Sequence, residues 1–175
     1  LNASASVSEN ERLAKELKLS RSLPWAGSWA RIINKTPADW YGSFFINKGS
    51  ADGVEVNDTV LGMQDEKAGL AGRVFEVYPE FSKVLLITNS AASAVCSIAP
   101  SGLEALVEGK GTWLLKVNYV PEQSELAEGA AITTAAGGLL FPAGVPVGRV
   151  TKVYPRESFM NFITADVAPA VDVNT

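Results

Sequence analysis

From Pro24 to the C-terminus, short β-branched and aromatic runs alternate with turn residues, and few folds tolerate that punctuation. Strands are read near 29–33, 41–47, 58–62, 69–78, 83–88, 94–99, 103–108, 112–117, 130–134, 147–154 and 159–167. Turn signals between them include Asn47-Lys48-Gly49, Ala51-Asp52-Gly53, Val56-Asn57-Asp58 and Pro142-Ala143-Gly144, where Gly and Asn accept left-handed backbone and Pro fixes φ. No strand, long helix, strand alternation appears, so a doubly wound sheet is disfavoured. Many short strands with close turns point to a mainly β fold of barrels or sandwiches.

Ahead of Pro24 the texture is helical. Residues 8–19 are expected to form a helix, with Ser8 and Glu11 as a capping box. Leu13 and Leu17 share one face, surrounded by charged residues. A helix of about a dozen residues is marginal alone in water. It needs a surface, either this chain's own body or a second copy in a coiled coil, and two leucines do not decide between them.

The β region contains an internal echo. Asn57-Asp58-Thr59-Val60 precedes Gly72-Arg73-Val74, and Gly129-Ala130-Ala131-Ile132 precedes Gly148-Arg149-Val150. Each unit reads as turn, strand, loop, then Gly-Arg-Val-x-x-Val. Gly72 and Gly148 are expected at barrel corners, supplying either a positive φ or a close backbone approach. The expected organisation is a helical stub over 1–23, a first small barrel lobe over 24–100 and a second over 101–175, with strands free to interlace between lobes.

Residue types remove most chemistries. There is no histidine, so Ser-His-Asp and Cys-His arrangements are impossible. No serine has lysine three positions on, and no G-x-S-x-G elbow occurs. One cysteine, Cys96, and no histidine leave too few zinc ligands. Asp52, Glu55 and Asp58 lack the spacing of a calcium loop and are read as turn decoration. Gly109-Lys110-Gly111-Thr112 fits no phosphate-loop pattern and reads as a hairpin turn. No cofactor, metal or catalytic residue is therefore expected. A net charge of −4 without basic runs argues against nucleic acid. Cys96 sits in an apolar run and is expected to be a buried thiol. The charged share of 19% is low, against roughly 25% in typical domains, which fits either apolar surface left for a partner or a chain simply rich in Gly and Ala. No stretch approaches the length of a membrane span. The chain begins at Leu1 inside a polar segment and is expected to be a fragment or processed form.

Residues 46–61, Gly69 to Val77 and Ser82 to Asn89 resemble successive motifs of the MreC family, the bacterial rod shape-determining proteins. The runs Phe141-Pro142-Ala143-Gly144-Val145-Pro146-Val147-Gly148-Arg149-Val150 and Val167-Ala168-Pro169-Ala170-Val171-Asp172-Val173 continue the resemblance, as does Pro37-Ala38-Asp39-Trp40. It covers roughly residues 8–173, and its specificity lies in the order and spacing of glycine turns. Ala130 and Ala135-Ala136 depart from the family's usual turn residues. The resemblance implies a short N-terminal helix closing a coiled coil, then two β-barrel lobes similar to trypsin-like barrels without a triad. It implies an extracytoplasmic location, anchored by a membrane helix absent from this chain, where stray thiols are few. It also implies a scaffold in the cell-elongation machinery that binds the class B penicillin-binding transpeptidase, MreD and itself.

Candidate partner anchors are Phe141, Tyr154 and Phe159, near Leu139, Leu140 and Phe162, since aromatic residues at strand ends commonly anchor interfaces; the alternative for any one of them is a place in the core of the second barrel. Leu13 and Leu17 are candidates for self-association. Gly49, Gly53, Gly72 and Gly148 are candidate structural turns. A competing reading is a peptidoglycan- or carbohydrate-binding barrel that uses exposed Trp25, Trp29, Trp40 or Trp113, although each tryptophan is expected in the core. A third is a hydrolase with two carboxylates.

Overall fold

The computed structural model describes residues 2–155, 159 and 161–174. They form two compact units, residues 1–31 and residues 32–175. The first carries helix α1, Asn2–Ser22, which corrects the expected start at residue 8. Ser8 lies inside the helix because Asn2 to Val7 holds no glycine or proline and includes two alanines, the best helix formers. Arg12 bridges Glu9 at 2.5 Å and Glu16 one turn on. Leu13 and Leu17 are 49% and 55% exposed. The helix stops before Pro24, as proline requires. Among the described residues no helix is long and apolar enough to cross a membrane.

Among the described residues the second unit is all β apart from two short 3-10 turns. Strands β1 (Ile32–Asn34), β2 (Ser43–Ile46), β3 (Thr59–Gln64), β4 (Lys67–Val77) and β5 (Ser82–Leu86) form a sheet in the order β1-β2-β5-β4-β3. Strands β6 (Ser93–Ile98), β7 (Leu103–Gly109), β8 (Leu115–Pro121), β9 (Ala131–Thr134), β10 (Pro146–Tyr154) and β11 (Phe162–Pro169) close into a barrel in the order β10-β11-β8-β7-β6-β9. All eleven expected strands are present. One lobe closes and the other is a curled half-barrel. The change of sheet falls between β5 and β6, before residue 93 rather than at 100, because Ser93–Ile98 pairs with β7 and β9.

Alternation decides which side chains are buried. In β2, Phe44 and Ile46 point inward, and with Val84 and Leu86 of β5 they build the half-barrel core. Val107, Leu115, Val117, Val147 and Val167 fill the closed barrel and are fully buried. Cys96 is also in the barrel core, and loss of solvation pushes its thiol up to about 12.

The C-terminal segment ties the lobes together. Beyond β11, Ala170 donates its N–H to the Val147 carbonyl at 2.8 Å. Val171 is then buried against Gly62 and Gly69, which face each other across β3 and β4. A Cβ on either glycine would lie 2.9 Å from valine methyls of this segment. Asp172 donates its N–H to Gln64 Oε1 at 2.9 Å, and Val173 packs onto the half-barrel core.

The echo in the sequence is also an echo in space. Asn57 at φ 73 and Gly129 at φ 84 occupy the two turns. Each donates its N–H to a valine carbonyl, Val74 at 2.8 Å and Val150 at 2.7 Å. Each valine N–H returns to the next turn residue, Asp58 or Ala130. Arg73 reaches Asn57 Oδ1 at 2.8 Å, and Arg149 reaches the Gly129 carbonyl at 3.0 Å. Neither Gly72 nor Gly148 has a positive φ. A Cβ on Gly72 would sit 2.0 Å from the Leu85 carbonyl oxygen, and one on Gly148 2.1 Å from that of Ala168. Of the two expected roles, close backbone approach is therefore the one adopted.

Candidate interaction surfaces

The sequence-derived residues sort by burial. Phe141 is only 9% exposed, so of its two readings the core one holds and the partner-anchor one is corrected. Phe141 lies in the turn that the Thr134 hydroxyl ties at the Pro142 carbonyl, at 2.6 Å, and it lines a small cavity together with Gly72, Arg73 and Leu85. Its neighbours remain outside, with Leu139 fully exposed and Leu140 43% exposed. Phe159 is 99% exposed, in the connection between β10 and β11.

Tyr154 has a second commitment. Its hydroxyl donates to Asp166 Oδ2 at 2.6 Å, and Lys110 Nζ donates to Asp166 Oδ1 at 2.9 Å. Burial raises the Asp166 carboxyl, but the Tyr154 and Lys110 hydrogen bonds outweigh it and hold the group below its ordinary value. The Tyr154 ring stays partly exposed, with the Lys152 ammonium 5.0 Å from its centroid.

Two aromatic patches emerge. At one end of the barrel, Tyr119 and Phe162 meet edge to face at 5.7 Å. Tyr154 pairs with Thr164, two residues along β11 from Phe162, so it shares that end. Tyr119 sits at φ 59 and is 62% exposed. On the half-barrel, Phe45 lies 6.0 Å from Phe81, which stacks on Tyr78 at 4.6 Å. Sequence reasoning missed Tyr119, Phe45, Tyr78 and Phe81. The signal for Phe45 was present: if Phe44 and Ile46 are core, period-two alternation puts Phe45 outside.

The tryptophans overturn the core expectation. Trp40 and Trp113 are exposed, and Trp25 and Trp29 are half-buried. Trp40 instead lies under the Lys35 ammonium at 4.3 Å.

The turn carboxylates act locally. Asp52 accepts the Gly49 N–H at 3.0 Å, and Asp58 accepts that of Glu55 at 2.9 Å. Gly49 approaches the Tyr78 carbonyl too closely for a Cβ, and Gly53 has φ 83. Among the described residues no group of three His, Cys, Asp or Glu side chains could hold a metal. The segment Gly109-Lys110-Gly111-Thr112 opens the β7–β8 connection, as its turn reading expects.

Comparison with known proteins places these surfaces in a family. A Listeria monocytogenes cell shape-determining protein MreC is 28% identical over 171 residues, covering 94% of this chain and 56% of that protein. The chain thus spans about half the length of the curated relatives it matches. A solved MreC structure superposes with a TM-score of 0.84 at 30% identity, covering 97% of this chain and 94% of the other. A more distant fold match, TM-score 0.62 at 17% identity over 83% of this chain and 87% of that one, is MreC from Helicobacter pylori, solved in complex with penicillin-binding protein PBP2. The family profile of the rod shape-determining protein MreC barrel core matches residues 32–175, the whole β unit, and the chain belongs to that family.

Proposed function

We propose that this chain is a non-catalytic scaffold of the bacterial cell-elongation machinery, which maintains rod shape by binding and positioning peptidoglycan synthases. Its location is extracytoplasmic, on a protein anchored by a preceding membrane helix. Its partners are the class B penicillin-binding transpeptidase, MreD and a second copy of itself through Leu13 and Leu17. The transpeptidase contact lies at the barrel end that carries Tyr119, Tyr154, Phe159 and Phe162. The observations carrying this reading are Phe159, an almost fully exposed phenylalanine in the β10–β11 connection, and the exposed Tyr119–Phe162 pair at that end of the barrel. A large apolar side chain held in water has no role in the fold, and clustered aromatics are the usual hot spots of an interface. The complex solved for the H. pylori relative supports the partner's class.

The test is affinity for the extracytoplasmic part of the transpeptidase, measured beside melting temperature. Phe159→Ala and Tyr119→Ala are expected to weaken binding by about 2 kcal/mol each with Tm unchanged. Unaltered affinity in both, with the protein folded, moves the contact to the Phe45, Tyr78 and Phe81 patch or removes it from this unit.

A further inference from the structure

We infer that the cleft between the half-barrel sheet and the barrel is a binding site for a neutral pyranose residue of a glycan. The cleft has a volume of about 300 Å³, at the low end for small-molecule sites, which favour such junctions between lobes. Its floor is apolar, made by Leu70, Ala71, Ile87 and Val171, and its rim carries Trp113, Gln64 and Asn174.

Trp113 is 57% exposed, yet its loop is fixed from two sides. Lys110 is ion-paired with Asp166 of the barrel at 2.9 Å, and Gly111, at φ 70, donates its N–H to the Thr88 carbonyl at 2.8 Å. Thr88 in turn donates its hydroxyl to the Tyr41 carbonyl at 2.6 Å. An exposed indole on a braced loop is a preorganised platform. The C–H face of a pyranose is apolar and slightly positive, and it complements the negative face of an aromatic ring.

The polar rim suits hydroxyls. Gln64 uses its side-chain oxygen for the Asp172 N–H, which leaves its NH₂ donors for a ligand. The Asn174 side-chain oxygen is buried without a hydrogen-bond partner among the described residues. That oxygen is closed to solvent, so it belongs to the wall of the cleft rather than to the face a ligand meets. Among the described residues, Asp172 is the one charged residue lining the cleft. Among the described residues no Lys or Arg lines the cleft, and Lys35, whose charge acts on Asp172, has its ammonium buried outside the lining, so a neutral sugar fits better than a phosphate or carboxylate. An extended peptide would seek free backbone partners, whereas this rim offers side-chain amides and an aromatic face.

The experiment is a titration of the whole chain with the N-acetylglucosamine trimer, followed by amide and indole NMR signals. The Trp113 indole N–H, assigned by its loss in Trp113→Phe, is expected to shift saturably with a Kd of about 1 mM. Trp113→Ala is expected to weaken binding at least about tenfold, with Tm unchanged because the ring is exposed. Gln64→Ala weakens it by a smaller factor. A wall stem peptide without sugar should leave these signals in place. The inference is overturned if the trimer causes no shift, if binding survives Trp113→Ala, or if the stem peptide alone shifts the cleft signals. None of these outcomes bears on the transpeptidase contact, which uses other residues and another assay.

Discussion

Replacing Gly72 by alanine adds one methyl group where the backbone leaves no room for it. The new Cβ would stand 2.0 Å from the Leu85 carbonyl oxygen and 2.9 Å from its carbon. Since real Cβ contacts stay beyond 3.0 Å, β4 and β5 must separate locally by about an ångström. Gly72 pairs with Leu86 and Arg73 with Leu85, so that separation strains the ladder at the centre of the half-barrel sheet. Overpacking of this kind costs about 1–3 kcal/mol, and weakening one or two ladder hydrogen bonds adds about 1 kcal/mol each. The expected loss is roughly 2–4 kcal/mol, a large part of a typical total of about 5–15. Gly53 supplies the control. It sits at φ 83 with open space where a Cβ would go, so Gly53→Ala carries only the left-handed backbone cost of about 1–2 kcal/mol. Urea midpoints for the two variants, with m-values to check two-state unfolding, measure the difference. Gly148→Ala should behave like Gly72→Ala, since its Cβ would meet the Ala168 oxygen at 2.1 Å. If Gly72→Ala and Gly53→Ala unfold at the same urea concentration, close approach is not what the repeated glycine supplies.

Phe141→Ala should cost about 3–5 kcal/mol of stability and leave transpeptidase affinity unchanged, seen by running melting and binding together. Asp166 has a depressed pKa when folded, so its contribution is present above the unfolded carboxylate value of about 3.9 and is lost as pH falls through the folded one. The Tm gap between wild type and Asp166→Asn should therefore be widest near neutral pH and close on acidification. Cys96, buried and with its thiol pushed up to about 12, should resist a disulfide reagent at pH 8 until urea unfolds the barrel; rapid labelling of the native protein would contradict its burial. For a protein that includes the preceding heptads, Leu13→Asp/Leu17→Asp should lower the light-scattering mass. An equal mass would count against a coiled coil.

Local pattern carried much of this fold in the sequence. Strand positions depend on runs of β-branched residues and on turn chemistry within a few residues, so all eleven strands were legible near their observed places. The Gly-Arg-Val repeat could be read because each copy keeps its own turn, arginine and valine in one local unit. The helix face with Leu13 and Leu17 was legible for the same reason, but its start was not, because Asn2 to Val7 holds no stop signal and the Ser8 to Glu11 spacing imitated one. Burial is another matter, since it depends on what arrives from far along the chain. Phe141 and Phe159 look alike in sequence, yet the first is buried in a turn tied by Thr134 and the second stands in water. Trp113 had no local mark of exposure, and only the meeting of Lys110 with Asp166 and of Gly111 with Thr88 holds it at the edge of a cleft. That cleft exists because a segment about a hundred residues beyond Gly62 and Gly69 returns to pack on them, and no periodicity encodes a contact made at that separation.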